Sequence, residues 1–492
     1  MDESFFTPLK KDNLVYHYYD GEQWKESQSN KRVAVRSPHD GHIIGEIQQV
    51  TNEEIDSAIQ KASEAYRAWE QKPLYERIEI VKKTAFLMRE HAEILTELLV
   101  EEIGKSYEES KSEVLRTADI LDFTAQEVQS ISGEEIESDQ FPGFAKGKIS
   151  IAEHVAHGVV LAIAPFNYPI NLAATKIVPA LLMGNAVIFK PPTQGSLSGL
   201  YLTQLFIQAG LPNHLLSCLT GAGKDMGTYL TSHKGIQMIA FTGSTSVGTS
   251  IAQSVGMKSL LFECGGNNPI IVLPDADMDL TAKEVVKGAF SYSGQRCTGI
   301  KFILAEQAVL DILLPKVKEQ MDKLIHMGPP HDKDTKLVGP VISEESAISI
   351  HQSIQSAVSE GAKVYIGGTR NGTYVEPTIL VDVTASMKIV NEEVFGPVVS
   401  CIVIKTANDA VTIINRSQYG LQASIFTSDE GAGISLSKQL EVGTVQLNGS
   451  PQRGPDNFPF MGIKGSGIGV QGVKYSLLAM SRLKSFVLNS PQ

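Results

Sequence analysis

The chain has 492 residues, 42% of them hydrophobic and 20% charged, a composition typical of globular proteins with sizeable cores. This length predicts roughly three domains, or two large ones with additions. The net charge of −12 argues against a nucleic-acid surface, because binding to phosphate backbones requires a basic footprint. A small anionic ligand stays compatible with this charge, since a local cluster of arginines suffices to bind it.

The N-terminus and the cysteines bear on the compartment. The opening residues MDESFFTPLKKD place acids before lysines and contain no long apolar run, so they do not resemble a secretory signal. We find no stretch of about 18 apolar residues that predicts a membrane span. Cys218, Cys264, Cys297 and Cys401 lie far apart without a CxxC pair, which disfavours a disulfide framework or a zinc site. We therefore expect a soluble, cytoplasmic protein without a bound metal.

The segment from residue 51 to residue 130 has the pattern of long amphipathic helices. Thr51 and Glu54 have capping-box spacing, and apolar residues recur behind them at helical intervals. Pro73 suits the first turn of a second helix. This part of the chain is therefore predicted to be helical.

After Pro142 the pattern changes to short apolar runs that end in Gly- or Pro-marked turns. They cover residues 158–166, 184–192, 235–244 and 258–266, with amphipathic stretches between the first three. Such alternation predicts a parallel sheet covered on both faces. Ligands bind sheets of this kind where the strands end, so the turns after the strands are the places to look for a site.

A second α/β unit is predicted from Asn268 onwards. It reads as a strand, a helix over 280–290, a strand at KFILAE, a helix over 308–325 and four further strand-like segments. We find no internal repeat, low-complexity tract or long linker. The two units are therefore expected to be docked against each other.

Two glycine-rich turns could bind phosphate groups. FTGSTSVG follows a strand and precedes a helix, so free N–H groups at the helix start could face an anion, although an ordinary turn explains the pattern equally well. TGAGKDMG resembles a P-loop but fails as one, because Cys218 stands at the first glycine position and Asp225 follows the lysine.

Three residues at predicted strand ends or in a glycine-opened segment are candidates for catalysis. Cys297, beside Arg296 and after Gly294, could be a nucleophile, with a buried structural cysteine as the alternative. Glu263 could be a general base or a salt-bridged glutamate. Asn167 could donate to an oxyanion or simply occupy a turn.

Taken together, APFNYP, FTGSTSVG, FECGGNNP, GQRCT and EEVFGPV, in this order and spacing, resemble the aldehyde dehydrogenase superfamily over nearly the whole chain. The resemblance implies an α/β fold with a Rossmann-like cofactor domain, an α/β catalytic domain and a small β oligomerisation element. The expected ranges are 1–135 and 158–264 for the cofactor domain, 265–445 for the catalytic domain, and 136–157 with 478–492 for the oligomerisation element.

The resemblance also implies a mechanism. Cys297 attacks the aldehyde carbonyl, and the oxyanion is held by the Asn167 amide and the Cys297 backbone N–H. A hydride passes to a nicotinamide cofactor and leaves a thioester, which a water activated by Glu263 hydrolyses.

The family pattern further assigns residues to the cofactor. They are Lys190, Thr193, Gly243, Ser244, Glu393 and Phe395. Thr193 stands where many NAD-using relatives have a glutamate that holds the adenosine ribose. Removing that carboxylate removes its repulsion of a 2′-phosphate, so we expect a preference for NADP, with use of both NADP and NAD as the alternative.

Within the superfamily the chain most resembles the non-phosphorylating glyceraldehyde-3-phosphate dehydrogenases, through VLRTADIL, FKPPTQGS, AFSYSGQRCT, YGLQASIFT and QRGPDNFPF. The positions that match this branch's phosphate-binding residues are Arg116, Tyr168, Arg296 and Arg453. Guanidinium groups and a phenol suit a phosphate dianion, although structural ion pairs would also explain the arginines.

The resemblance leaves alternatives for the substrate and implies an assembly. The alternatives are another small anionic aldehyde such as succinate semialdehyde or sulfolactaldehyde, a dehydrogenase that acylates coenzyme A, and a scaffold without activity. Asn267 and Phe302 depart from the family pattern, and we interpret them as room for a different aldehyde. The segment 146–154 and the C-terminal SRLKSFVLN are expected to build a homotetramer, a dimer of dimers.

Overall fold

The structure, a computed structural model, describes residues 3–12, 14–144 and 146–489. The α-helices of these residues are α1 (Asn52–Glu70), α2 (Leu74–Glu90), α3 (Ala92–Ile103), α4 (Tyr107–Glu127), α5 (Asn171–Leu182), α6 (Ser196–Gln208), α7 (Gly223–Ser232), α8 (Thr245–Ser254), α9 (Met278–Phe290), α10 (Gln307–Leu324), α11 (Glu344–Ser359), α12 (Lys388–Asn391), α13 (Ala407–Arg416), α14 (Glu430–Ser437) and α15 (Val473–Ala479).

The β-strands of the same residues are β1 (Val15–Tyr16), β2 (Tyr18–Tyr19), β3 (Trp24–Lys25), β4 (Arg32–Arg36), β5 (Ile43–Gln48), β6 (Glu134–Glu137), β7 (Lys148–Ala156), β8 (Val159–Ile163), β9 (Ala186–Lys190), β10 (Leu216–Cys218), β11 (Met238–Thr242), β12 (Ser259–Glu263), β13 (Asn268–Val272), β14 (Ile300–Ala305), β15 (Lys363–Ile366), β16 (Arg370–Asn371), β17 (Tyr374–Val375), β18 (Thr378–Val383), β19 (Val398–Val403), β20 (Gln422–Phe426), β21 (Thr444–Leu447), β22 (Gly467–Ile468) and β23 (Ser481–Asn489).

The predicted capping box at the start of α1 is confirmed. Thr51 Oγ1 accepts from the Glu54 backbone N–H at 3.2 Å, and Glu54 Oε2 accepts from the Thr51 N–H at 2.8 Å. Both donors belong to the set that a helix N-terminus leaves unsatisfied, so the pair fixes where α1 begins. Helix α2 begins directly after Pro73, one position later than predicted.

The first sheet carries the four predicted parallel strands. Its order is β22-β12-β11-β8-β9-β10-β2-β3, and β8 to β12 run parallel in it. The sequence analysis missed β10, which has three residues, and the two-residue β22, which closes the edge antiparallel to β12. Both are too short to produce a periodic pattern. The parallel strands β8, β9, β11 and β12 bring the predicted turns to one edge.

The second sheet has the order β15-β18-β19-β14-β13-β20-β21, with only β15 antiparallel to its neighbour. Buried apolar residues of this unit form one cluster on each of its faces, as expected for a sheet between helices. Strand β14 follows Cys297 directly and lies at the centre of the sheet. The nucleophile candidate is thereby attached to a buried strand.

A third sheet, β23-β7-β6, lies apart from these two. Strand β23 pairs with β7 over nine residues, from Ser481 opposite Ala156 to Asn489 opposite Lys148. Its outer positions expose Leu483, Phe486, Val487 and Leu488. Hydrogen-bonded strands thus occur in each range assigned to a domain, while the division into domains stays a prediction.

Candidate active site

The three catalytic candidates come together at the facing edges of the two large sheets. Glu263 is the last residue of β12, Asn167 follows β8 after a short turn, and Cys297 precedes β14. Asn167 and Cys297 line one cleft with a volume of about 710 Å³. The pattern of strand ends predicted this edge, and the second sheet completes it.

A strained turn sets the position of the thiol. Residues Ser291–Gly294 form a short 3₁₀ turn in which Tyr292 and Ser293 both have a φ of 52°. Gly294 has a φ of 68°, and a Cβ at this position would lie 2.2 Å from the carbonyl oxygen of Gly396. Only glycine fits there, so the glycine that opens this segment is required for the turn that precedes Cys297.

The thiol of Cys297 is a hydrogen-bond donor in this state. Its Sγ donates to Glu263 Oε1 at 3.4 Å. Burial, together with the charges of Glu263 and Glu393, raises the pKa of the Cys297 thiol well above its usual range, while Arg453 acts in the opposite direction. The surroundings of Cys297 therefore favour the protonated thiol, which lies next to the Glu263 carboxylate.

Glu263 is also the acceptor of an arginine. Its Oε2 accepts from Arg453 Nη1 at 2.8 Å, and only 2% of the Glu263 side chain and 12% of the Arg453 side chain are exposed. Arg453 Nη2 donates to Gln471 Oε1 at 3.1 Å. The structure thus shows the salt-bridged glutamate that was the alternative for Glu263, while its role as a base stays a prediction.

Asn167 is held so that one amide hydrogen stays available. Its Nδ2 donates to the Gln295 carbonyl oxygen at 3.0 Å, and 3% of the residue is exposed. The turn after it is fixed by Glu113, whose Oε1 accepts from the backbone N–H groups of Ile170 and Asn171 at 3.1 Å each. The second amide hydrogen of Asn167 is the one that can serve an oxyanion.

Three of the four proposed phosphate ligands lie together. Arg116 binds Asp456 through two hydrogen bonds, of 2.8 and 2.7 Å, and also donates to the carbonyl oxygen of Arg453 at 2.8 Å. The Tyr168 phenol lies close enough to Arg116 to contribute to the raised pKa of its guanidinium. Arg296 instead donates to Ser291 Oγ at 2.5 Å and to Thr298 Oγ1 at 3.3 Å. In this state Arg116 and Arg453 both form ion pairs with acidic residues.

Four of the six residues assigned to the cofactor line the cleft. Gly243 and Ser244, expected near the pyrophosphate, and Glu393 and Phe395, expected around the nicotinamide ribose and ring, are all part of its wall. Ser244 caps α8 by accepting from Val247 N–H at 3.4 Å, so the helix N-terminus opens into the cleft. Burial raises the pKa of Glu393 to about 7.

The surroundings of Lys190 indicate whether the protein could bind a phosphorylated ribose. Burial lowers the pKa of the Lys190 ammonium to about 8, and within the described ranges its side chain has no hydrogen-bond or ion-pair partner. A Cβ at Gly223, the first residue of α7, would lie 3.8 Å from Lys190 Nζ. A buried cation without a counter-ion beside a helix N-terminus fits a 2′-phosphate. Thr193, three residues on, is half-buried and adds no charge.

Sequence reasoning missed two buried lysines of the site. Lys176 Nζ donates to Leu172 O at 3.0 Å and to Thr242 Oγ1 at 2.7 Å, and burial lowers its pKa to about 7 against the opposing charge of Glu263. Lys301 Nζ donates to Gly294 O at 2.9 Å. The available signal was a lysine inside an otherwise apolar run, in NLAATKIVPALL and in IKFILA.

The structure corrects the interpretation of Asn267 and Phe302. Both line a separate cavity of about 330 Å³ behind the second sheet, and neither lines the catalytic cleft. Phe302 lies on β14 within the buried apolar cluster that includes Ala410 and Ile414 of α13, whereas Asn267 precedes β13 and donates to the Val390 carbonyl oxygen at 2.9 Å. Neither residue is therefore part of the wall of the catalytic cleft.

No helix in the described ranges is long and apolar enough to cross a bilayer. The same residues contain no group of three or more His, Cys, Asp or Glu side chains placed to hold a metal ion. All four cysteines are free.

The arrangement of Cys297, Glu263 and Asn167 around one cleft is consistent with the resemblance to aldehyde dehydrogenases. Residues 24–486 match the aldehyde dehydrogenase family, and the chain belongs to it. The fold class and the family resemblance inferred from the sequence are thereby confirmed.

Three similar proteins indicate which members of the family this chain resembles. The chain is 42% identical to the NADP-dependent glyceraldehyde-3-phosphate dehydrogenase of Pisum sativum over 98% of this chain and 96% of the relative. It is 34% identical to the 3-sulfolactaldehyde dehydrogenase of Priestia aryabhattai, over 96% of this chain and 98% of that one. The crystal structure of NADP-dependent glyceraldehyde-3-phosphate dehydrogenase from Bacillus halodurans C-125 complexed with NADP superposes with a TM-score of 0.95 at 44% identity, covering 98% and 100% of the two chains.

Proposed function

We propose that this protein oxidises D-glyceraldehyde 3-phosphate to 3-phosphoglycerate with NADP, through a thioester on Cys297 and without inorganic phosphate. The observation that carries the proposal is the position of Arg453. Its guanidinium donates to the catalytic Glu263, and its carbonyl oxygen accepts from Arg116, so two arginines lie together beside the residues of the reaction. Relatives named for this activity cover nearly the whole chain.

The residues of the chain divide the chemistry between them. Cys297 loses its proton and attacks the aldehyde carbon, and the Asn167 amide and the Cys297 N–H hold the resulting oxyanion. Bound NADP supplies the hydride acceptor. Glu263 then takes a proton from water, whose oxygen attacks the thioester and releases the acid. A carboxylate in this position argues against an enzyme that transfers the acyl group to coenzyme A.

Cofactor and substrate would be held by separate cations. Lys190 and the N-terminus of α7 would bind the 2′-phosphate. Gly243 and Ser244 would bind the pyrophosphate at the N-terminus of α8. Arg116, Tyr168 and Arg453 would bind the substrate phosphate, with Arg296 as a fourth ligand. Because Asp456 neutralises Arg116 in this state, substrate binding would have to exchange this partner.

The test is NADPH formation from D-glyceraldehyde 3-phosphate and NADP in buffer free of inorganic phosphate. Succinate semialdehyde, sulfolactaldehyde and unphosphorylated glyceraldehyde are run beside it, each with NAD as the cofactor control. The proposal requires the highest kcat/KM for the phosphorylated aldehyde with NADP. A higher value for another anion would keep the family chemistry and reject the substrate.

A second candidate is oxidation of 3-sulfolactaldehyde. A relative named for this activity is 34% identical over nearly the whole chain. A sulfonate has three acceptor oxygens, as a phosphate does, but one negative charge fewer than a phosphate dianion. The pair Arg116 and Arg453 could therefore bind either group, and the substrate comparison above separates the two.

The assembly and the compartment are further parts of the proposal. The exposed apolar side chains of β23 and its free edge support a homotetramer, built as a dimer of dimers, because such a strand invites pairing with another copy. Light scattering of the protein and of Leu483→Asp tests this, since the variant should give a smaller species. Free cysteines, including a nucleophile, support a reducing, cytoplasmic setting.

A further inference from the structure

Both carboxylate oxygens of Glu263 are occupied in this state. Oε1 accepts from the Cys297 thiol at 3.4 Å, and Oε2 accepts from Arg453 Nη1 at 2.8 Å. Formation of a thioester removes the thiol hydrogen and frees Oε1. It does not free Oε2, which still accepts the hydrogen bond from the Arg453 guanidinium.

This ion pair restricts Glu263 in its role as a base. The guanidinium occupies Oε2, so a water can approach only Oε1 of the carboxylate while Arg453 stays in place. The pair is nearly buried, so water screens it little. A thioester formed while Arg453 stays in place would therefore be hydrolysed slowly.

Arg453 has few other contacts that would prevent it from moving. Its Nη2 donates to Gln471, its Nε is 4.0 Å from Asp456 Oδ1, and its guanidinium lies 5.2 Å from the centre of the Phe460 ring. Asp456 already accepts two hydrogen bonds from Arg116. A phosphate dianion placed between Arg116 and Arg453 would be a stronger acceptor than Glu263, because it carries more charge and three free oxygens.

We propose that the substrate's phosphate withdraws Arg453 from Glu263 and thereby frees the carboxylate for the hydrolytic water. This inference rests on the proposed function and goes beyond it, because Arg453 then acts as a specificity switch as well as a ligand. An aldehyde without the anion still forms a thioester, but it leaves the base restrained.

The step it controls is hydrolysis, with no change of oxidation state. Glu263 takes one proton from water as the water oxygen bonds to the thioester carbon. The carbon–sulfur bond then breaks, the electron pair goes to the sulfur of Cys297, and the carboxylic acid leaves. Glu263 then passes its proton to the thiolate, which restores both the thiol and the carboxylate.

The switch can be tested without the cofactor by supplying the acyl group and the anion as two separate molecules. 4-Nitrophenyl acetate acylates a reactive thiol and releases 4-nitrophenolate, so its steady-state turnover reports hydrolysis of the acetyl thioester. We expect added phosphite dianion to raise that turnover saturably, by about tenfold, a small part of what general-base catalysis usually supplies. Sodium chloride at equal ionic strength should have no effect.

Two variants identify the residue responsible. Arg453→Leu should raise the turnover of 4-nitrophenyl acetate and abolish its response to phosphite, because the base is free and the switch is gone. Arg116→Leu removes a neighbouring phosphate ligand that does not touch Glu263, so it should weaken the phosphite response without the rise seen for Arg453→Leu.

The outcomes separate this inference from the proposed function. Turnover of 4-nitrophenyl acetate that does not respond to phosphite in the unaltered protein overturns the switch, even if glyceraldehyde 3-phosphate proves to be the substrate. A phosphite response that persists in Arg453→Leu overturns it as well. A response that depends on Arg453, in a protein that prefers another anionic aldehyde, keeps the switch and rejects the substrate.

Discussion

The side chain of Asn268 donates to the carbonyl oxygen of Cys297 at 2.7 Å and to that of Gly299 at 2.9 Å. It reaches across from β13 to the peptide that follows the nucleophile. Its own Oδ1 accepts from the backbone N–H of Gln422 at 3.1 Å, which ties β20 to the same point. One amide thus fixes the peptide at Cys297 from two neighbouring strands.

We expect Asn268→Ala to lower kcat about tenfold or more, because a small displacement of a reacting group has a large effect on rate. The free energy of unfolding should fall by about 1–3 kcal/mol, since buried acceptors lose their donor. Asn267→Ala is the matched control, because among the described residues Asn267 donates to Val390 alone and lies outside the cleft. Equal losses of kcat in both variants would contradict the positioning role.

The assigned role of Glu263 is tested by Glu263→Ala. If Glu263 serves hydrolysis, the variant should keep a single-turnover burst of NADPH and lose steady-state turnover by about 10²-fold or more. Stopped-flow absorbance at saturating aldehyde measures both phases. Loss of the burst would show instead that Glu263 is needed to activate Cys297, with which it shares a hydrogen bond.

The reactivity of the thiol should depend on pH in a defined direction. Because burial and neighbouring carboxylates raise the pKa of Cys297, the thiolate is scarce near pH 7, and alkylation by iodoacetamide should accelerate about tenfold per pH unit up to pH 9. Glu263→Gln removes one of those charges and should speed alkylation at pH 8. Glu345→Gln, another cleft carboxylate, should leave the rate unchanged. A plateau below pH 8 would contradict the raised pKa.

Cofactor preference should respond to the charge at residue 193. Thr193→Glu places a carboxylate near the expected 2′-phosphate of NADP and should raise the KM for NADP about tenfold or more through like-charge repulsion. The KM for NAD should fall or stay level. Thr193→Gln has nearly the same shape without the charge, so an equal loss in this variant would indicate a steric effect.

Much of the site could be predicted because its residues are local features of the sequence. Glu263 ends an apolar strand, Asn167 follows another, and Cys297 lies behind a glycine that the backbone requires, so each has a signal within a few residues. Parallel strands then bring two of these three to one edge without further information.

The unpredicted parts depend on contacts between distant segments. The pairing of Arg453 with Glu263 joins residues 190 positions apart, and nothing near either residue indicates it. Which face of β14 Phe302 occupies depends on register, which the apolar run alone did not reveal. Glu113 is a further case, because the backbone N–H groups of Ile170 and Asn171 that it accepts from lie 57 and 58 positions away.

Cys297 and Glu263 belong to different sheets, since the thiol precedes β14 of the second and the carboxylate ends β12 of the first. A hydrogen bond of 3.4 Å therefore spans the junction between the two α/β units. A rotation of one unit against the other would change this distance, because its two atoms are attached to different sheets. The rate at which Cys297 is alkylated should therefore report the position of one α/β unit relative to the other.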